Sequence, residues 1–279
     1  MKKTLIVATV LAAAGLIRAD GITPLVGTNT VGFAIVTNIA NQANTIITVP
    51  FEACLSNGVS GYLSDLVSTN GLTSDPGNAA HADQLVVLTT NTDGSLIYYY
   101  YWLQTGLGWT NVPTEVLMPE GTSNTVVNPP AANAFRIARG LGFWLKRAYP
   151  NTGSTVFVKG QVSTNKQSTV IASGLNLIGF ANPSALTLND SGISWAGANG
   201  GTGNTVTSDK ILIVGANGSL TPYWFFINPT GPSVGSFAAC DHKWIDANYV
   251  VATNVSISAG QGFWYVSRGA TNFTFLPGL

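Results

Sequence analysis

Three blocks of sequence occur twice in the same order, roughly 120 to 135 residues apart, and this recurrence constrains the chain more than any other feature. The first block is an aspartate-led apolar run, Asp83-Gln84-Leu85-Val86-Val87-Leu88, followed by the turn Asp93-Gly94-Ser95-Leu96 and the aromatic run Tyr98 to Trp102. Its counterpart is Asp209-Lys210-Ile211-Leu212-Ile213-Val214, then Asn217-Gly218-Ser219-Leu220, then Tyr223-Trp224-Phe225-Phe226. The second block is a single tryptophan after that hairpin, Trp109 or Trp244. The third is Gly140-Leu141-Gly142-Phe143-Trp144-Leu145, matched by Gly260-Gln261-Gly262-Phe263-Trp264-Tyr265. Each third block leads into a short apolar run, Thr155 to Gly160 or Thr271 to Leu276. A fainter opening run precedes each set, Thr45 to Pro50 and Asn176 to Phe180.

The repeated elements have the signature of antiparallel strands. Asp-Gly and Asn-Gly between apolar runs are strong hairpin signals, because a tight type I′ turn needs positive φ at both central residues. Helical periodicity is poor, and the candidates are short: Val59 to Ser68 in the first unit and Ser184 to Leu188 in the second. Prolines at 113, 119, 129, 130, 222, 229 and 232 keep any helix near them short. The expectation is an all-β chain of two tandem, homologous antiparallel modules, each a small sandwich or partly closed barrel of about six to nine strands. The first module runs over 20–162 and the second over 163–279, with a polar linker near Gln161 to Ser168.

The Gly-x-Gly-Phe-Trp element follows from strand geometry. Two glycines before a strand give a turn or bulge with close backbone approach, and Phe and Trp in succession place one large ring on each face. One ring fills the module core. The other is either exposed or covered by the neighbouring module.

In Asp83, Gly108-Trp109 and Gly140-Leu141-Gly142-Phe143-Trp144, and again in Asp209, Trp244 and Gly260-Gln261-Gly262-Phe263-Trp264, the chain resembles a group of uncharacterised secreted tandem β-repeat proteins of Verrucomicrobia, Lentisphaerae and related bacteria. Their units close on a Pro-Gly-Glu-Gly-Phe-Phe-like strand. The likeness spans most of both units, although the Pro and Glu of that motif are missing here and no Gly precedes Trp244. The resemblance implies export and a tandem β architecture. It implies no activity, since the group has none assigned.

Lys2 and Lys3 followed by an uncharged apolar run, Leu5 to Ile17, form the layout of a signal peptide with cleavage expected after Ala19. The run is too short to span a bilayer, so residues 1–19 read as an export signal rather than an anchor, and no membrane span is expected after cleavage. The protein is expected to be secreted, at the cell surface or extracellular, with the periplasm as the remaining option. Cleavage removes three of the twelve basic residues and none of the twelve acids, leaving a net charge of −3. That balance excludes a nucleic-acid footprint, which needs clustered Lys and Arg in excess. The one basic cluster, Arg136, Arg139, Lys146 and Arg147, reads as a solvated strand edge, against a contact for an acidic polymer or lipid surface. Only 9% of residues are charged, so the polar surface must come from Asn, Thr, Ser and Gly.

No residue set specifies catalysis, a metal or a cofactor. Histidine occurs only at His81 and His242. Cys240-Asp241-His242 places a thiol, a carboxylate and an imidazole together, but on a strand Asp241 would face away from the other two. It reads as a turn or strand end. Gly197 to Gly203 lacks the Lys and following helix of a phosphate loop and reads as a mobile surface loop. Asp65, Asp75 and Asp190 lack the spacing of a calcium loop. The repeated Asp83 and Asp209, at the start of a strand, read as turn or backbone caps. Cys54 and Cys240 either form a disulfide joining the two units or are two separately buried thiols.

The aromatic residues carry the functional hint. Alternation along Tyr98-Tyr99-Tyr100-Tyr101 turns half of these rings away from the core. Tyr99, Trp102, Trp109, Trp224 and Trp244 are the candidates for stacking on a sugar face, with ordinary packing as the alternative. The expectation is a non-enzymatic exported protein acting through its surface as a structural or adhesive component, with glycan or copies of itself as partners. A carbohydrate-binding protein is the alternative, and an enzyme of unrecognised type the third reading.

Overall fold

The computed structural model describes residues 31–38, 44–51, 62–67, 69–90, 96–111, 129–148, 154–163, 166–189, 193–194, 197–202, 207–215, 218–228 and 237–275. The expected signal peptide, 1–19, lies outside the described residues.

In the first half β1 (Val31–Asn38) and β2 (Asn44–Thr48) precede one helical turn, α1 (Leu63–Leu66). Then come β3 (Gln84–Thr90), β4 (Leu96–Gln104), β5 (Gly108–Asn111), β6 (Gly142–Lys146) and β7 (Ser154–Gln161). Five of these form an open antiparallel sheet in the order β2-β6-β3-β4-β5, while β1 pairs with β7. The second half contains β8 (Gln167–Ile171), β9 (Gly174–Gly179), β10 (Leu186–Thr187), β11 (Ile193–Ser194), β12 (Lys210–Val214), β13 (Leu220–Phe226), β14 (Lys243–Ile245), β15 (Ser256–Ile257), β16 (Gly262–Ser267) and β17 (Thr271–Phe275). Its five-stranded sheet runs β9-β16-β12-β13-β14, and β8 pairs with β17.

Both sheets therefore share one order: opening strand, closing strand, aspartate-led strand, aromatic strand, tryptophan strand. In both halves the strand before the opening strand pairs with the strand after the closing one. The all-β reading holds, and because the sheets are open the barrel alternative falls. Ser184 to Leu188 is not helical, since Leu186 and Thr187 pair with Ile257 and Ser256. Of Val59 to Ser68, the described residues are helical only at Leu63–Leu66. The polar stretch read as a linker is mostly strand at its ends, because β7 runs through Gln161 and β8 begins at Gln167.

Both expected hairpins form. Thr90 opposes Leu96 and Val214 opposes Leu220, so each connection holds five residues rather than two. In the second hairpin the Gly218 N–H donates to the Gly215 carbonyl at 2.9 Å and Gly218 sits at φ +77, the left-handed position that glycine fills without a Cβ clash. The first loop, 91–95, lies outside the described residues. Pro222 opposes Leu212 in β13, at a point where β14 has not yet joined, so its missing N–H interrupts no ladder.

Alternation decides which rings fill the cores. Phe143 and Phe263 are fully buried, each burial worth about 1.5–3 kcal/mol. Phe143 packs with Ile47, Leu85, Val87, Tyr101, Leu103 and Trp109, over Val156 and Val158 of β7. Phe263 packs with Ile178, Ile211, Phe225, Trp244 and Tyr265, over Phe273 of β17.

The next residues, Trp144 and Trp264, point from the opposite faces and meet each other, with centroids 4.9 Å apart and planes at 66°. They join Ile46, Leu88, Leu177 and Val214 in a small cluster between the halves. Beside it the backbones cross reciprocally. Gly140 and Gly260, at φ +83 and +79, are the third residues of turns closed by Leu141 N–H to Ala138 O and by Gln261 N–H to Ser258 O, both at 3.0 Å. Gly179 N–H then donates to Gly140 O at 2.9 Å, and Thr48 N–H donates to Gly260 O at 2.8 Å. Each opening strand thus ends on the closing turn of the other half. A Cβ at Gly142 would stand 2.9 Å from the Ile178 nitrogen, and one at Gly262 would run into the Ile46 side chain, which is why both positions lack a side chain.

Candidate functional site

The rings proposed for stacking split by face. Trp109 and Trp244 occupy equivalent places opposite Leu103 and Phe225 and are only 5% and 0% exposed, so they close the cores rather than meet a ligand. Trp102 is 7% exposed, covered by Ala82 with Ala79 and Tyr100 against it. Tyr99 and Trp224 are half-buried, and Tyr99 lies edge-on to Phe135 at 5.6 Å. Trp109 and Trp244 thus lie inside their own cores and Trp102 under a separate cover on the other face, a distinction that the sequence of a strand does not reveal. In the tyrosine run, Tyr101 is fully buried and its hydroxyl donates to Pro130 O at 3.0 Å, whereas Tyr98 is exposed and stacks on Trp144.

The repeated aspartates form the most ordered polar geometry among the described residues. Asp83 is fully buried and accepts from Thr73 N–H and Ala148 N–H, both at 2.7 Å, with the Arg147 guanidinium 3.2 Å away. Burial pushes its carboxyl above the ordinary value, opposed by the Ala148 and Thr73 donors and by Arg147. Asp209 is equally buried and accepts from Asn199 N–H at 2.8 Å, Arg268 N–H at 2.6 Å and the Tyr265 hydroxyl at 2.5 Å. Burial first, and then the bond to Asp209, push the Tyr265 hydroxyl far above its usual range.

Each aspartate ties three segments together: its own strand, the chain leaving the closing strand, and an upstream segment. That upstream segment adds a parallel bridge to the aromatic strand, Asp75 to Gln104 in one half and Gly201 to Phe226 in the other. The cap reading is thereby supported, and the loop reading of Gly197 to Gly203 is corrected for its described part. Asn199 and Gly201 are held by backbone bonds to Asp209, Phe225 and Ile227. Nothing in the shared sequence signalled the segment, because its work is done by main-chain groups.

Cys240-Asp241-His242 lies on a short 3-10 turn and the bend after it, not on a strand, so the expected alternation does not apply. Cys240 is a buried thiol 3.3 Å from Tyr249 O, and Cys54 lies outside the described residues. Asp241 pairs with the exposed His242 ring at 2.8 Å and accepts from Asn228 N–H, which is the main cause of its lowered pKa. The turn reading stands. The basic cluster is dispersed: Arg139 and Arg147 are buried, Lys146 is exposed, and Arg136 lies over the Tyr62 ring at 5.0 Å. Asp75 caps a turn through Gly77 and Asn78 N–H. No grouping of His, Cys, Asp and Glu among the described residues could hold a metal ion, and no described helix is long and apolar enough to cross a membrane.

One exposed aromatic group escaped the sequence reading. Phe237 and Tyr249 are 41% and 36% exposed, with centroids 5.0 Å apart, and both rest on the buried Phe226. Tyr249 has φ +62, a conformation that non-glycine residues rarely adopt. Isolated rings outside the repeated blocks gave no signal for it.

No protein-family model, curated protein or solved structure gives a significant match to this chain.

Proposed function

We propose that this is an exported bacterial protein that acts through its surfaces without catalysis, as a structural or adhesive component of the cell exterior, built by duplication of one β unit. The carrying observation is the use to which the recurring residues are put. Asp83 and Asp209 tie strands to neighbouring segments, Phe143 and Phe263 fill cores, Trp109 and Trp244 close them, and Trp144 and Trp264 hold the halves together. A reactive site kept in both halves would leave shared polar groups turned to solvent. Here the shared set is scaffold. A weakly charged exterior of Asn, Thr, Ser and Gly, a leader-like N-terminus and the resemblance to secreted tandem β-repeat proteins support the same reading.

Electron microscopy and adhesion measurements on the chain lacking residues 1–19 test it. Ordered assemblies, or retention on whole cells and envelope fractions, are expected. Substrate turnover that a single side-chain change abolishes would overturn it.

A carbohydrate-binding role is the second reading, favoured by the exposed Phe237–Tyr249 pair, since apolar ring faces stack on sugar C–H surfaces. A glycan array probed with the unmodified chain, Tyr249→Ala and Phe237→Ala decides it. Binding that survives both changes excludes this pair.

A further inference from the structure

The junction between the halves has a property that neither core has: its contacts come in reciprocal pairs. Gly179 N–H to Gly140 O is answered by Thr48 N–H to Gly260 O, and the Leu141–Ile178 bridge is answered by the Ile47–Gln261 bridge. Ile46, Leu88 and Trp144 from one side meet Leu177, Val214 and Trp264 from the other. These residues belong to opening strands, closing turns and outer sheet faces. None lies in the five-residue connector between Gln161 and Gln167. The junction is therefore indifferent to whether the halves it joins share a chain. Its separate apolar cluster buries only Ile46, Leu88 and Leu177, and the further crossings, the buried Thr48 against Gly179 and Ala259 against the first core, are few, so it can open while each half keeps the bulk of its own core.

We infer that the partner of this surface is a second copy of this chain: the second half of one copy docks on the first half of another in the geometry seen within the chain, giving unit-exchanged dimers and longer linear assemblies. Every exchanged junction repeats the contacts of the closed form, so exchange adds no new interface and costs only the freedom of joining molecules. A short connector presents the halves to each other at an effective concentration on the order of millimolar, so exchange gains where copies are crowded. Its use in assembly rests on the surface-acting reading above.

Two variants that each spoil a different half test it. Gly142→Leu drives a side chain against the Leu177 and Ile178 backbone and spoils the first half's surface. Gly262→Leu drives one against Ile46 and the Ile47 and Ile178 carbonyls and spoils the second half's surface. Neither variant can close a junction within itself or with its own copies. An equimolar mixture still offers one sound second half and one sound first half. Light scattering coupled to size exclusion is expected to show monomers for each variant alone and a 1:1 heterodimer, at twice the monomer mass, for the mixture. If either leucine chain fails to show cooperative melting, Trp144→Ala and Trp264→Ala replace the pair, since both empty the junction from the outer faces without entering a core. A mixture that stays monomeric up to about millimolar concentration, the affinity scale set by the connector, overturns the exchange. That result leaves the surface-acting reading standing, because adhesion and catalytic turnover decide that one separately.

Discussion

Replacing Asp209 by Ala removes the acceptor of its three closest donors at once, the N–H groups of Asn199 and Arg268 and the Tyr265 hydroxyl, and of the Asn199 side-chain amide at 3.4 Å, at a position with no solvent exposure. A buried donor left without a partner costs about 1–3 kcal/mol, so simple addition gives roughly 3–9 kcal/mol. Water entering the space left by the carboxyl relieves part of this, and about 3–5 kcal/mol is the expected loss, a large share of a typical ~5–15 kcal/mol stability. Tyr265→Phe deletes one of the three donors and leaves the two backbone bonds, so it should cost about 1–2 kcal/mol. The decisive quantity is the double mutant. Once Asp209 is Ala, the Tyr265 hydroxyl has lost its acceptor, and Tyr265→Phe should then cost nothing or restore stability, giving a coupling of about 1–3 kcal/mol. Urea titration followed by far-UV circular dichroism and tryptophan fluorescence measures it, with both probes used because the halves could melt separately. Asp83→Ala should match Asp209→Ala in scale, since it also strands two backbone donors and removes the carboxyl beside Arg147. If Asp209→Ala costs under about 1 kcal/mol, or the two changes simply add, the aspartate is not the tie inferred here.

Gly142→Ala should destabilise by about 1–3 kcal/mol in thermal melts, because the added methyl meets the Ile178 nitrogen and Leu177 carbonyl carbon, backbone atoms that no rotamer change can move. A double-mutant cycle of Trp144→Ala and Trp264→Ala should show coupling of about 0.5–1.5 kcal/mol in urea titration, and none if the halves do not hold this ring contact in solution. Alkali should act through tyrosine. Burial raises the Tyr101 and Tyr265 hydroxyls, so the unfolded chain releases these protons first. The stability they contribute is complete below the ordinary tyrosine value of about pH 10 and is lost as pH rises above it. Phenolate absorbance should show these two titrating only together with loss of tryptophan signal, and a smooth titration of every tyrosine near pH 10 in the folded chain would refute the burial argument.

What the sequence revealed and what it hid divide along one physical line. Features carried by side chains within a strand were legible: the aspartate-led strands, the hairpins after them, and the Gly-x-Gly-Phe-Trp turn with one ring in the core. Alternation and turn chemistry are local, so identical neighbours in two places announce identical geometry. Features carried by main-chain atoms or by a second layer were not. Thr73 to Asp75 and Asn199 to Gly201 make the same bonds to the aromatic strand and to the buried aspartate, yet Thr-Ser-Asp and Asn-Gly-Gly share no side chain, because N–H and C=O groups alone meet the requirement. Trp102 looked available because half of an aromatic strand must face away from its own core, but facing away from one core does not mean facing water, and Trp109 and Trp244, on short strands with no alternating pattern to read, face into their own cores. Trp144 and Trp264 show the rule most plainly: each points away from its own core and meets the equivalent ring of the other half. The exposure of a ring in a two-layer β chain is a property of the pairing between units, so it becomes readable only when the reciprocal glycine turns that set that pairing are read as contact points rather than as turns.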